Sequence, residues 1–188
     1  MKILGTRKAI QDALAYAYTA DSSMAEYLTY LCRVDRTRKT GIEQNVMAIQ
    51  FAKIRAAIND QRQPIPAWLH FAYGPDLECA QKGRQKRTLG LMLSHRLYDP
   101  PISTKRRDRI ERLCMCAAED YRMGLFMGKI LPQTEYATAM EVRDDNFQRD
   151  WAKTRDRVLE MIKRLDSEGL GYVSVTVREI RESEEHIA

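Results

Sequence analysis

Apolar residues recur at intervals of three and four through most of the chain, and prolines, glycines and short polar runs part the periodic stretches. Gly5-Thr6 opens the first stretch, in which Ile10, Leu14, Ala17 and Tyr18 fall on one helical face. Ser23-x-x-Glu26 is a capping box and predicts a second helix, with Met24, Tyr27, Leu28 and Leu31 on one side. The clearest helix of the N-terminal part covers residues 42–62. Met47, Phe51, Ile54 and Ile58 make its stripe, Ile42, Val46 and Ile49 widen it, and Pro64 and Pro66 stop it. PAWLHFAYGP (66–75) predicts a short helix or compact turn, and a further helix spans about 84–98. In YDPPIS (98–103) two prolines end one element and Ser103 can cap the next. A long helix then runs from Thr104 to about Gly128, burying Ile110, Leu113, Cys114, Ala117, Tyr121 and Leu125.

From Pro132 to Leu165 the pattern becomes a short helix, a tight polar turn and a longer basic amphipathic helix. Ala137 is small enough to let the second helix pack close, and Met140 and Val142 flank the turn. Phe147, Trp151, Val158, Ile162 and Leu165 then form a one-sided stripe. This is the arrangement of a helix-turn-helix, whose second helix enters a DNA major groove. Arg143-Asp144-Asp145-Asn146 supplies N-cap residues, with Asp145 and Gln148 as a capping-box-like pair. Asp166-Ser167-Glu168-Gly169 reads as the end of the helix. Beyond it, GYVSVTVREI alternates Tyr172, Ser174 and Thr176 with Val173, Val175 and Val177, the period of a strand. A lone strand needs a partner edge, which points to a homodimer or to another protein. The expected fold is all-α, with at most one short C-terminal strand. Its parts are a helical region (1–102), a helix-turn-helix region (103–167) and a C-terminal strand or tail (168–188).

Charge changes where affinity for a partner is expected to lie. The net charge of +5 permits a polyanionic partner. Residues 1–102 carry 15 Lys/Arg against 9 Asp/Glu, residues 103–166 carry 14 against 12, and the remainder 2 against 5. The excess therefore lies mostly outside the reading head. Arg36, Arg38 and Lys39 crowd a polar segment that is either a solvated loop or a phosphate-contacting one. Lys82, Arg84, Lys86 and Arg87 form a second cluster. Lys105, Arg106, Arg107 and Arg109 form a third, in the first turns of a helix where the dipole disfavours cations. A phosphate backbone would explain that placement.

Catalytic chemistry is hard to find. No phosphate-binding glycine loop is present, and the 3 scattered histidines nominate no nucleophilic set. Asp144, Asp145 and Asp150 are explained by helix capping and dipole complementation. Cys32, Cys79, Cys114 and Cys116 lack zinc spacing and read as reduced thiols, so neither metal nor cofactor is expected. With 30% charged residues and no apolar run of spanning length or signal-peptide character, the expectation is a cytoplasmic, non-enzymatic protein with no membrane partner. For Trp68, Phe71 and Tyr73, the densest aromatic cluster, core packing is the first explanation and a protein-docking patch the second.

The run from Glu119 to Leu165 resembles the region 4 helix-turn-helix of bacterial sigma factors. That motif has a small residue, a turn, two apolar residues a helical turn apart and a basic tail, here Ala137, Phe147, Trp151, and Arg155 with Val158. With the upstream segment Ala118 to Gly124, it is similar to the phage late-gene antitermination Q proteins of the type without a zinc insertion. The resemblance covers a quarter to a third of the chain, and residues 1–102 have no part in it. It implies a transcription regulator in the bacterial host. Such a protein binds double-stranded DNA near a late promoter, engages a paused RNA polymerase holoenzyme and allows terminators to be read through. It also implies that Gln148, Arg149, Lys153 and Arg155 face DNA, with Arg143 and Asn146 where the second helix begins. Gln and Asn suit adenine edges, Arg suits guanine, and Lys suits phosphates. Two departures stand out. Glu141 occupies the turn position where such motifs often carry glycine, and Asp144, Asp145 and Asp150 place negative charge toward the phosphates. The rival readings are a helical protein–protein adaptor that docks through WLHFAY and the terminal strand, or another phage helix-turn-helix protein, a repressor or a packaging factor.

Overall fold

The computed structural model describes residues 5–20, 41–75, 79–98 and 102–185, and every regular element among them is a helix. In chain order these are α1 (Thr6–Ala20), α2 (Gly41–Asn59), α3 (Ile65–Tyr73), α4 (Cys79–Leu97), α5 (Thr104–Met127), α6 (Gln133–Ala139), α7 (Asp144–Asp150) and α8 (Ala152–Glu185). The capping box at Ser23 and the basic residues Arg36, Arg38 and Lys39 lie outside the described residues. The chain divides into two compact units. One comprises Met1–Gln61, Tyr73–Asp76 and Gly169–Ala188; the other comprises Arg62–Ala72 and Leu77–Glu168.

In the first unit α1 packs on α2. Ala9, Ile10, Ala13 and Leu14 are buried, as are Phe51, Ile54 and Ile58, and the Tyr16 and Phe51 rings meet at 5.3 Å. Val46 and Ile49, expected to widen the α2 stripe, are 47% and 58% exposed, so its buried face is narrower than the apolar pattern.

The C-terminal segment corrects the expectation of a strand. Residues 171–180 are helical, and α8 runs on through the polar residues 166–169 that read as its end. Val173, Val177 and Ile180 are buried at spacings of four and three, whereas Val175 is 44% exposed. The β-branched run also carries a helical stripe, and burial of that stripe outweighs strand propensity. The Ser174 hydroxyl donates to the Gly171 carbonyl (2.7 Å) and Tyr172 Oη donates to Asp60 (3.0 Å), satisfying polar groups on the other faces.

The second unit is built on an α4–α5 pair. Gly90 lies opposite Met115 and Lys86 is 3.5 Å from Glu119, so the two helices run antiparallel. Leu89, Leu93 and Leu97 face Ile110, Leu113, Cys114 and Ala117 in the core. A Cβ at Gly90 would fall well inside contact distance of Met115 Cγ and 3.3 Å from the Glu111 carbonyl; the missing side chain sets the approach. Burial pushes the Cys114 thiol up to about 12, as expected of an inert core thiol. Trp68 of α3 is fully buried, packs edge-on against Tyr121 and donates its indole N–H to Asp166 at 3.0 Å. Phe71 and Tyr73 are each 2% exposed. Of the two explanations of this aromatic cluster, the burial of Trp68 and Phe71 in this unit, and of Tyr73 in the first, favours core packing over a docking patch.

Candidate nucleic-acid interface

The α5–α6–α7 corner is assembled around one buried carboxylate. Gly128, in the left-handed region at φ 64°, ends α5 and turns the chain back. Asp120 of α5 then accepts the Leu131 N–H and the Tyr136 hydroxyl, both at 2.6 Å. Burial, and then the bond to Asp120, holds the Tyr136 hydroxyl well above the usual tyrosine range, so it stays a donor. Tyr136 and Phe147, both fully buried, meet at 5.7 Å and join α6 to α7.

The turn between α6 and α7 has the hydrogen bonds of a Schellman motif. Val142 N–H bonds the Ala137 carbonyl (3.0 Å) and Glu141 N–H bonds that of Thr138 (3.1 Å). The motif wants glycine at its left-handed position, and Glu141 occupies it at φ 55°. Its side chain and carbonyl are both held from α5. Arg112 pairs with the Glu141 carboxylate and reaches the Ala139 carbonyl (3.4 Å), and Arg109 reaches the Glu141 carbonyl (3.4 Å). The hydrogen bond to Arg112 and its charge hold the Glu141 carboxyl below the usual carboxylate range.

α7 begins at Asp144 with Arg143 as its N-cap residue, which makes no side-chain cap bond. The expected Asp145–Gln148 box is replaced by two aspartates, Asp144 and Asp145, in the first turn, where they complement the dipole. The predicted single second helix is interrupted at Trp151, at φ −126° and ψ −19°, before α8 starts. Hydrogen bonds of 2.9 Å from Trp151 N–H to Phe147 and from Arg155 N–H to Trp151 carry the backbone across this bend. The bend takes Trp151 out of the buried stripe; Phe147, Val158, Ile162 and Leu165 stay in it.

Arg143, Gln148, Arg149 and Lys153 are exposed and Asn146 is half-buried. Arg149 is bound to Asp150 (2.9 and 3.0 Å) and to Asn146 Oδ1 (3.1 Å). Arg155 is half-buried, pairs with Asp156 at 2.7 Å and lies over the Tyr136 ring at 5.9 Å. The third basic cluster reaches this corner. Arg106 stacks on Trp151 (6.0 Å) and Tyr98 (5.9 Å), and Arg107 approaches His95 (3.3 Å). Lys105, Arg106 and Arg109 line a cavity of about 490 Å³ with Ser103, Asp150 and Trp151. The second cluster does not reach it. Lys86 sits beside Glu119, 12 residues along α5 from Arg107, or roughly 18 Å at 1.5 Å per residue. Asp120 has one signal in the sequence, a polar residue on the apolar stripe of α5, and Arg112 falls at the end of the basic run 105–112.

The sequence profile of phage antitermination protein Q matches residues 7–187. No curated protein and no solved structure matches the chain. The match takes in both compact units and all eight described helices, far beyond the segment whose pattern first suggested it. The chain therefore belongs to the phage antitermination protein Q family.

Proposed function

We propose that the protein is an antiterminator that binds double-stranded DNA through α6, its turn and α7, and loads onto a paused RNA polymerase holoenzyme in the host cytoplasm. The observation that carries this reading is the grip of α5 on the turn. Arg109 and Arg112 hold Glu141 and Ala139, and Arg106 stacks on Trp151. A helix-turn-helix of nearly balanced charge is thereby joined to Lys105, Arg106, Arg107 and Arg109, whose place at a helix start is otherwise unfavourable. Arg143, Gln148, Arg149 and Lys153 are the proposed groove contacts. Arg155 braces Tyr136, and the α4 cluster Lys82, Arg84, Lys86 and Arg87 is left to a more distant stretch of backbone. Polymerase contact is assigned to the end of α5, where Phe126, Met127 and Ile130 are 43%, 61% and 82% exposed.

The test is transcription in vitro across a terminator, on a template carrying the protein's own upstream DNA. Read-through that depends on that DNA is expected. Arg149→Ala with Lys153→Ala should weaken retardation of the same DNA and lower its salt slope. Undiminished binding by the double variant would remove α7 and α8 from the interface.

A further inference from the structure

The cavity beside Trp151 has more in it than a duplex phosphate contact requires. Phosphates of a double helix need cations on an open surface, whereas this is a recess of about 490 Å³ with an aromatic wall. Its volume lies in the range of small-ligand sites. Arg109 donates to the Glu141 carbonyl at 3.4 Å, and the charges of Arg109 and Lys105 act on the Glu141 carboxylate, whose own hydrogen-bonded partner is Arg112. The one carboxylate in the lining, Asp150, is taken by Arg149 at 2.9 and 3.0 Å and held below the usual aspartate range by that hydrogen bond. The Arg106 guanidinium, in the lining, lies over the Tyr98 ring at 5.9 Å and over the Trp151 ring at 6.0 Å. An aromatic ring beside several cations in a concave site is the combination that takes unpaired bases, because every base has a π-face and every nucleotide a phosphate.

We infer that this cavity seats one unpaired nucleotide of a single-stranded nucleic acid, with its base against Trp151 and its phosphate among Lys105, Arg106 and Arg109. The inference rests on the nucleic-acid-binding reading above and adds strand separation to it. A protein built this way holds duplex on α7 and a melted or displaced strand next to it.

Tryptophan fluorescence of the full chain tests it directly. The chain has 2 tryptophans, and Trp68 is fully buried, so quenching by an added oligonucleotide reports on Trp151. Oligo(dT) and oligo(rU) are titrated separately, with inorganic phosphate as a further arm and duplex retardation measured in parallel at the same salt. Saturable quenching by at least one oligonucleotide is expected, and not by phosphate; the two oligonucleotide arms identify the sugar. Trp151→Leu should lower oligonucleotide affinity, read by anisotropy of a labelled strand, by about fivefold to a hundredfold. Arg106→Ala should lower it too and reduce the salt slope by about one, with Trp68 emission showing that each variant is folded. Duplex retardation without quenching by either single strand would overturn the inference and leave the DNA-binding reading intact. Equal quenching by phosphate would reduce the cavity to an anion seat and also overturn it. Binding of neither duplex nor single strand would remove both.

Discussion

Removing the Asp120 carboxylate should loosen the corner that orients α6 and α7, by an amount the structure sets. Asp120 is 5% exposed and accepts two donors at 2.6 Å, one of them the hydroxyl of a fully buried tyrosine. Hydrogen bonds to a charged group contribute about 1.5–3 kcal/mol each, and a buried donor left unpaired costs a comparable amount. Asp120→Ala strands both donors and should cost about 3–5 kcal/mol. Tyr136→Phe removes one bond and leaves the carboxylate its other donor, at about 1.5–3 kcal/mol. In the double variant the tyrosine hydroxyl is no longer present to be stranded. It should therefore cost no more than Asp120→Ala alone, a coupling of roughly 1.5–3 kcal/mol. Urea unfolding followed by tryptophan emission is the assay, since Trp68 and Trp151 both lie in the second unit. With a slope of roughly 2 kcal/mol per molar urea, the Asp120→Ala midpoint should fall by about 1.5–2.5 M. Additive single losses, or a midpoint shift below about 0.3 M, would refute the role given to Asp120.

Three further outcomes follow from the packing. Gly90→Ala should destabilise the second unit by about 1–2 kcal/mol in the same urea assay, because overpacking against Met115 outweighs the roughly 1 kcal/mol gain in helix propensity; a more stable variant would contradict the close α4–α5 approach. Glu141→Gly should melt on the order of 2–4 °C above Glu141→Ala, since both lack the carboxylate and differ mainly in tolerance of φ 55°. The wild-type advantage over Glu141→Gln has a defined pH window. The folded pKa is lowered from 4.5, so the advantage is fully present above about 4.5 and is lost as pH falls through the folded value; thermal melts at several pH values read it. Val175→Asp should be nearly neutral to melting, whereas Val177→Asp should cost more than about 3 kcal/mol by burying an unpaired charge, and equal costs would restore the strand reading.

What the sequence disclosed depended on how far each signal reaches along the chain. Helix positions came through because periodicity and proline punctuation are local: Pro64 and Pro66 bracket the start of α3, and Ser103 caps α5 with its side chain accepting the Arg106 N–H. The strand error at residues 171–180 has a local cause as well. Valines at 173, 175 and 177 satisfy a period of two, while 173, 177 and 180 satisfy a helical one, and only the packing partner decides between them. The oddity of Glu141 was visible as a missing glycine, but its holders were not, because Arg109 and Arg112 stand about 30 residues away on a helix whose charges read as a phosphate patch. Long-range polar pairs such as Trp68 with Asp166, or Asp120 with Tyr136, leave no spacing signature. They appear in a sequence only as polar residues on otherwise apolar faces.

The same arginines that compensate the turn also bear on how the motif could hold DNA. α7 carries Asp144, Asp145 and Asp150 against Arg149 alone, and Asp150 is paired with that arginine, so the short helix offers little net attraction to phosphates. Positive charge therefore has to come from outside the motif, and the only described cluster fastened to it is on α5. Fastening matters as much as charge. Arg109 and Arg112 tie the α6–α7 turn to the helix that bears Lys105, Arg106 and Arg107, so a phosphate bound on α5 would constrain where α7 can lie. On the proposed DNA-binding reading, affinity and register would reside in different helices of one hydrogen-bonded corner. An acidic α7 is no obstacle to the proposed arrangement: with little attraction of its own, α7 would add discrimination only where base contacts are made, and the basic helix beside it would carry the sequence-independent part.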